Sequence, residues 1–309
     1  MPNNNTIIEK AGSTIQTGSF NYGLLSREQS KKFIQQTFEA TNLGPLVRHE
    51  MRTAKTGEID KIGIARRILR KKTENVDDGY RAGVNTSQIE YKTTAVRLPW
   101  EITEETLREN IEGQQIEAVI TNLMTSQLGV DLEDLYLNAD EATPASDPDH
   151  DFLYVNDGWI KQLLNGAHVV DRSKNNGEMS IDIFYDALQT IPNKYNNGKL
   201  RWLLSPRRKQ EWDRYLLKQL IEQGGSVPES VYKNPASVPA IEIPALSDDK
   251  IILTDPKNLI VVNTYDMKIR KTTEGKEAIF QDKRFYVCHL DFDTIIEELD
   301  AAAIVKGLK

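Results

Sequence analysis

The residues whose types best suit chemistry are acidic. Asp147, Asp149 and Asp151 recur at every second position, the spacing that opens a calcium-binding loop. Such a loop needs glycine at its sixth place and a carboxylate at its twelfth, and Phe152 and Gly158 stand there instead. The segment therefore reads as a solvated loop. Asp131, Glu133 and Asp134 form a second acidic group. Clustered carboxylates can bind a cation or exchange protons, but no His or Lys lies near them in sequence, so a charged surface is the simpler reading. His49, His150, His168 and His289 are scattered and read as structural or surface residues. Cys288 is the single cysteine, which excludes an intrachain disulfide and a multi-cysteine zinc site. It alternates with Tyr286 and Leu290, the pattern of a core strand rather than a reactive thiol. No phosphate-binding glycine loop, zinc helix motif or serine nucleophile elbow occurs. The sequence thus predicts no catalytic residue, no cofactor and no metal.

Charge is the other chemical signal. The chain has 309 residues and a net charge of −7. Residues 46–72 carry nine Lys/Arg against three Asp/Glu, whereas residues 101–151 carry one against fourteen. The run Arg66-Arg67-Ile68-Leu69-Arg70-Lys71-Lys72 has the charge to meet phosphate, but it lacks interleaved aromatics and the rest of the chain is acidic. A protein–protein contact is the better reading. Taken alone, the asymmetry fits two solvated faces. The sharper reading lays the basic segment of one subunit on the acidic segment of another.

The elements that position these residues can be read from spacing. Val96, Leu98, Trp100 and Ile102 share one face of a strand, with Arg97 and Glu101 on the other. Leu107, Ile111, Ile120, Leu123, Met124, Leu128, Leu132 and Leu135 then recur at helical steps. Thr103 reads as the N-cap, with Glu104 and Glu105 in the first turn. A helix from Thr103 to Asn138 would run about 50 Å, with Gly113 and Gly129 as places for a bend. Upstream, Ser26 to Gln29 fits a capping box for a short helix that stops near Gly44-Pro45. Residues 57–98 read as a two-stranded excursion with a polar tip. An isolated hairpin is marginal in water, so it should lean on something outside itself.

Downstream, residues 181–195 read as a helix with Ile181, Phe184, Leu188 and Ile191 on one side. Lys199–Leu204 reads as a strand, and Ser205-Pro206 as a cap and first turn of a second helix that stops at Gly224-Gly225. A proline-rich stretch ends in an edge strand. The strands KIILTD, NLIVVN, MKIRKT and RFYVCHLDF follow, and then a short apolar tail. No run of apolar residues is long enough for a membrane span, and residues 1–18 read as a flexible polar arm rather than a signal peptide.

This succession resembles the major capsid protein of tailed bacteriophages, the Hong Kong 97-like α+β fold. FIQQTFEATNLGPLVRHEMRTAKTGEIDKIGI resembles the family's passage from arm to first strand, and KTTAVRLPWEITEETLRENIEG its strand into the spine helix. DLEDLYLNAD resembles the end of the spine, with Ala139 where glycine is usual. KLRWLLSPRRKQEWDRYL resembles the axial-domain strand and helix, and NLIVVNTYDMKIRK with RFYVCHLDF the return to the peripheral sheet. The resemblance covers nearly all of residues 25–309, as an order of elements. It implies an arm with a short helix over 1–45, a first peripheral (P) strand and an E-loop hairpin over 46–100, and a spine with more of the P-domain over 101–180. The axial (A) domain would span 181–254, and 255–309 would return to the P-domain sheet.

The implied function is structural and non-enzymatic: hexamers and pentamers closing an icosahedral head around double-stranded DNA, contacted weakly. Synthesis in the host bacterial cytoplasm is implied, with a separate scaffold, a portal and decoration proteins as partners, and no membrane. The rivals are an encapsulin-like shell around cargo protein and a hydrolase or transferase of mixed fold. In this family the E-loop lies over a neighbouring subunit. The resemblance therefore implies contact between Arg66, Arg67, Arg70, Lys71 and Lys72 of one subunit and Glu104, Glu105, Glu109, Asp131, Glu133 and Asp134 of the next. Some relatives cross-link an E-loop lysine; Lys71, Lys72 and Lys92 stand in position for this, but the bond itself is not predicted.

Overall fold

The computed structural model describes residues 41–64, 68–71, 79–105, 116–173, 177–223 and 234–309. The expected helix after Ser26 and the residues Arg66, Arg67, Lys72 and Glu109 lie outside them. In chain order the strands begin with β1 (Arg48–Met51), β2 (Thr56–Gly63), β3 (Asn85–Lys92) and β4 (Thr94–Thr103). Helix α1 (Ile116–Asn138), helix α2 (Trp159–Gly166), β5 (His168–Asp171) and α3 (Ile181–Thr190) follow. Next come β6 (Arg201–Leu204), α4 (Pro206–Gln223), β7 (Ala240–Glu242) and β8 (Lys250–Thr254). The chain closes with β9 (Leu259–Thr272), α5 (Lys276–Gln281), β10 (Lys283–Ile296) and β11 (Ala303–Lys306).

Two sheets organise the body. The first has the order β1-β9-β10-β4. The alternation expected for β4 is present: Trp100 and Ile102 are buried while Arg97 is exposed. Trp100 lies opposite Tyr286 of β10, and their rings stack at 5.2 Å. Cys288, Leu290 and Phe292 continue the buried face of β10. NLIVVN and MKIRKT, expected as two strands, form the single strand β9, because Tyr265 pairs with Asp291 across an irregularity in the β9–β10 ladder.

Against this sheet packs α1, whose Ile120, Leu128, Leu132 and Leu135 are buried in the main core. Leu123 departs from the expected stripe: it lies on the far side of the helix and is 64% exposed. Thr103 also departs from expectation. It ends β4 opposite Lys283, and its Oγ1 is buried without a hydrogen-bond partner, so it caps nothing. Gly113 lies outside the described residues.

The second sheet has the order β5-β11-β8-β6-β7. Phe184 of α3 meets Trp202 and Trp212 at 4.9 Å each, forming the aromatic centre of a separate core. On α3 it is Ile183, Phe184 and Ala187 that are buried; Ile181 and Leu188 pack at the margin. The Ser205 cap is present, its Oγ accepting the Arg208 N–H at 3.2 Å. The expected edge strand is β7, parallel to β6. The apolar tail is not peripheral. It supplies β11, between β5 and β8, so the segment 255–309 serves both sheets and β5 of the segment 101–180 lies in the second.

Candidate assembly surfaces

The charges singled out by sequence are largely engaged within the chain. On the acidic side, Glu104 pairs with Arg284 and Glu101 with Lys283 at 3.0 Å. Glu117 accepts from Lys271 Nζ at 2.6 Å and from the Tyr286 hydroxyl at 2.8 Å. Burial lowers the pKa of Lys271, opposed by Glu117. Burial, and then the Glu117 charge, pushes the Tyr286 phenol above its usual range. This cluster joins the start of α1 to β9 and β10.

Glu133 departs furthest from its expected role as a surface contact. It is 4% exposed, and its Oε2 accepts the Leu43 N–H at 2.9 Å. Burial raises its pKa, and the N–H donors of Leu43 and Gly44 work the other way. Asp131 accepts from Gln127 and Asp134 from Asn138, both one helical turn away. Glu105 alone among the described acidic candidates is exposed.

The basic side behaves similarly. Arg48 pairs with Glu297 at 2.6 Å, Arg52 with Glu50 at 2.6 Å, Lys55 with Asp291 at 2.9 Å, and Lys61 with Glu298. Beyond β2, the Arg70 guanidinium lies 3.6 Å from the Tyr80 ring centre, and Arg70 and Lys71 are exposed. Among the described residues of this segment, Arg70 and Lys71 are the exposed cations beyond β2.

That hairpin, β2 paired antiparallel with β3, packs apolar residues on the body near its root, and Lys61 farther along β2 reaches Glu298. Ile59 and Tyr91 bury themselves against Ile260, Val262 and Ile295, with Ile89 beside them. Gly57 is required there, since a Cβ would come within 2.7 Å of the Tyr91 hydroxyl. Towards the tip the apolar residues lose cover: Ile62 is 71% exposed and Leu69 93%. Ile279 and Phe280 of α5 form another uncovered apolar spot at the turn between β9 and β10.

A groove of roughly 900 Å³ runs beside the hairpin root, between β3 and the α2–β10 side of the body. Glu58, Glu90, Glu141, Asn156, Asp157 and Asp293 are among its lining residues. Burial raises the Asp293 pKa despite hydrogen bonds from the Lys92 and Thr294 N–H groups. Sequence reasoning missed this groove. Its signal is the register that sets Glu58 directly opposite Glu90, which no single strand reveals. Among the described residues, no group of three or more His, Cys, Asp or Glu is arranged to hold a metal, and the Asp147 carboxylate accepts the Asp149 N–H. None of the described helices is long and apolar enough to cross a membrane.

This fold superposes on chains of a set of solved particles. A chain of the satellite phage P4 procapsid including size determination (Sid) protein superposes with a TM-score of 0.65 at 16% identity, covering 91% of this chain and 99% of that one. Gordonia phage Cozz gives 0.57 at 13% identity over 96% and 91%. The chain has the Hong Kong 97-like capsid fold. The virus-like particle from Pyrococcus furiosus shares it at 0.55 and 14% identity, over 90% of this chain and 98% of that one. By sequence, the chain is 26% identical to "Putative prophage capsid protein YqbE" of Bacillus subtilis (strain 168), over 99% of both proteins. No family model matches.

Proposed function

We propose that this chain is a structural major capsid protein of a tailed phage or prophage. Many copies assemble into a closed icosahedral shell of hexamers and pentamers around double-stranded DNA. The observation that carries this reading is end-to-end correspondence: the relative in Bacillus subtilis is matched over 99% of its length and the P4 procapsid chain over 99%. In this reading the four-stranded sheet is the P-domain, α1 the spine, the β2–β3 hairpin the E-loop and the five-stranded sheet the A-domain. The subunit is made in the host cytoplasm and resides in the virion. A scaffold, a portal and decoration proteins are its partners.

The solvent-facing groups support the same reading. The hairpin carries apolar residues, Ile62 and Leu69, and cations, Arg70 and Lys71, that are exposed to water. Sedimentation and negative-stain microscopy of concentrated protein test it, with and without a co-expressed scaffold. Closed particles are the expected result. A strict monomer under all scaffold and salt conditions overturns it. Nucleic acid extracted from particles made during phage growth separates a DNA-filled head from a shell around cargo protein.

A further inference from the structure

We propose that Asn197 is a site of spontaneous deamidation, where the folded chain converts an asparagine into aspartate and isoaspartate without an enzyme. The inference goes beyond the shell reading and does not depend on it. The asparagine–glycine pair occurs three times in the sequence, at Asn165, Asn176 and Asn197. The first and last of these pairs lie wholly among the described residues. The same dipeptide thus stands in two settings, which differ in the features that ring closure requires.

The turn between α3 and β6 presents Asn197 for reaction. Asn196, Asn197, Gly198 and Lys199 are all exposed. The Asn197 Oδ1 accepts the Lys199 N–H at 3.1 Å. This Asx turn folds the side-chain amide over the peptide joining residues 197 and 198, and the donated hydrogen draws electron density from Cγ. The attacking atom is the Gly198 nitrogen, whose N–H has no hydrogen-bond partner among the described residues. The space beside it is open, since a Cβ on Gly198 would meet nothing within 4 Å. Its φ of +82° favours glycine, so the fold itself keeps a bulkier residue from shielding the nitrogen.

Asn165 is the counterexample. It is exposed too, but Gly166 is the last residue of α2. Closing the ring there requires the Gly166 nitrogen to leave the helical ladder and Asn165 to abandon helical backbone. That flank is also crowded: the Leu299 side chain lies 2.7 Å from where a Gly166 Cβ would stand.

The chemistry balances with water alone. Hydroxide removes the Gly198 amide proton, and the nitrogen attacks Asn197 Cγ. The N–Cγ bond forms, the Cγ–Nδ2 bond breaks, and Nδ2 takes a proton from water and leaves as ammonia, which restores the hydroxide. Water then opens the five-membered imide at either carbonyl, giving aspartate at one and isoaspartate at the other. Each event adds one negative charge. The new carboxylate enters a cleft of about 270 Å³ that Arg48, Lys61 and Lys257 also line.

Full-length protein held folded at pH 7, 8 and 9 provides the test, read by mass mapping of the tryptic peptide Tyr195–Lys199. A gain of about 1 Da at Asn197 is expected, with aspartate and isoaspartate both present and the rate rising with pH. Asn165 should convert roughly tenfold or more slowly, because its ladder must first open. In urea the two sites should convert at like rates. Asn197→Gln should abolish the gain in this peptide, since the longer side chain closes a six-membered ring far less readily. No gain at Asn197 in the folded chain, or equal rates at both sites before unfolding, overturns the proposal. A gain that survives Asn197→Gln belongs to Asn196 and refutes it as well. Aspartate without isoaspartate means direct hydrolysis of the side chain, and the attack by Gly198 falls.

Discussion

The start of α1 and the root of the hairpin both gather carboxylates, yet the two places have opposite chemistry. At α1, Glu117 is surrounded by Lys271, Arg284 and Tyr286, all from the sheet beneath it. Charge there is matched before any partner arrives. At the hairpin root, Glu58 faces Glu90 and Asn156 keeps an orphaned acceptor. The first cluster holds the subunit together. The second leaves like charges facing each other at the surface. Acidic composition alone does not distinguish them; the partners do.

The largest effect should come from breaking the matched cluster. Glu117→Ala removes the carboxylate that Lys271 and the Tyr286 hydroxyl both bond, while Arg284 keeps Glu104, and should cost about 3 kcal/mol in urea unfolding of the unassembled subunit. The corresponding hairpin variant, Glu90→Ala, should change subunit stability by less than about 0.5 kcal/mol. Equal losses at both sites would erase the contrast.

Glu133 offers a sharper version. Glu133→Ala orphans the Leu43 N–H and should cost about 1–3 kcal/mol. Glu133→Gln keeps an acceptor and removes the buried charge. Because the folded-state pKa is raised, ionisation is harder in the folded subunit than in the unfolded chain. The wild type therefore carries a penalty at neutral pH that disappears as pH falls through the raised pKa. Glu133→Gln should be at least as stable as wild type at pH 7, and its advantage should shrink towards pH 5; urea midpoints at the two pH values measure this.

On the open side of the comparison, Leu69→Ser should leave the subunit's melting temperature within error, because the side chain is 93% exposed. Particle yield should nevertheless fall. Smallest in energy but clear in readout is Cys288. Burial raises its thiol pKa to about 12. Iodoacetamide should label it only when the subunit unfolds, and prompt labelling of folded protein would mean that the β10 face opens.

Much of the body was legible because its signals are local. The β4 alternation, the Ser205-Pro206 helix start and the edge strand β7 each depend on neighbouring residues, and each is present. The solid-looking acidic stretch was misleading for the opposite reason. Lys271 lies 154 positions from Glu117, and Leu43 lies 90 positions from Glu133, so neither partner could be paired by spacing. Strand length failed similarly at β9, where pairing across the ladder carries one strand past residues that read as a break. The groove needed a register, which exists only once two strands have met. The contact predicted between the basic and acidic segments counted Glu104 and Glu133, which the fold engages internally.

The place of β11 sets a timetable for the chain's birth. It is the last strand made, yet it lies between β5 and β8 and hydrogen-bonds to both. Until residues 303–306 leave the ribosome, β5 has no neighbour in its sheet and β8 has only β6. The aromatic centre around Phe184 can condense earlier, but the five-stranded sheet is completed only after translation of the strand that bridges its halves. Contacts of such long sequence separation form slowly. A cell filling with these subunits therefore holds, for a time, chains with an open sheet edge, which is the surface that recruits chaperones and misdirected strands.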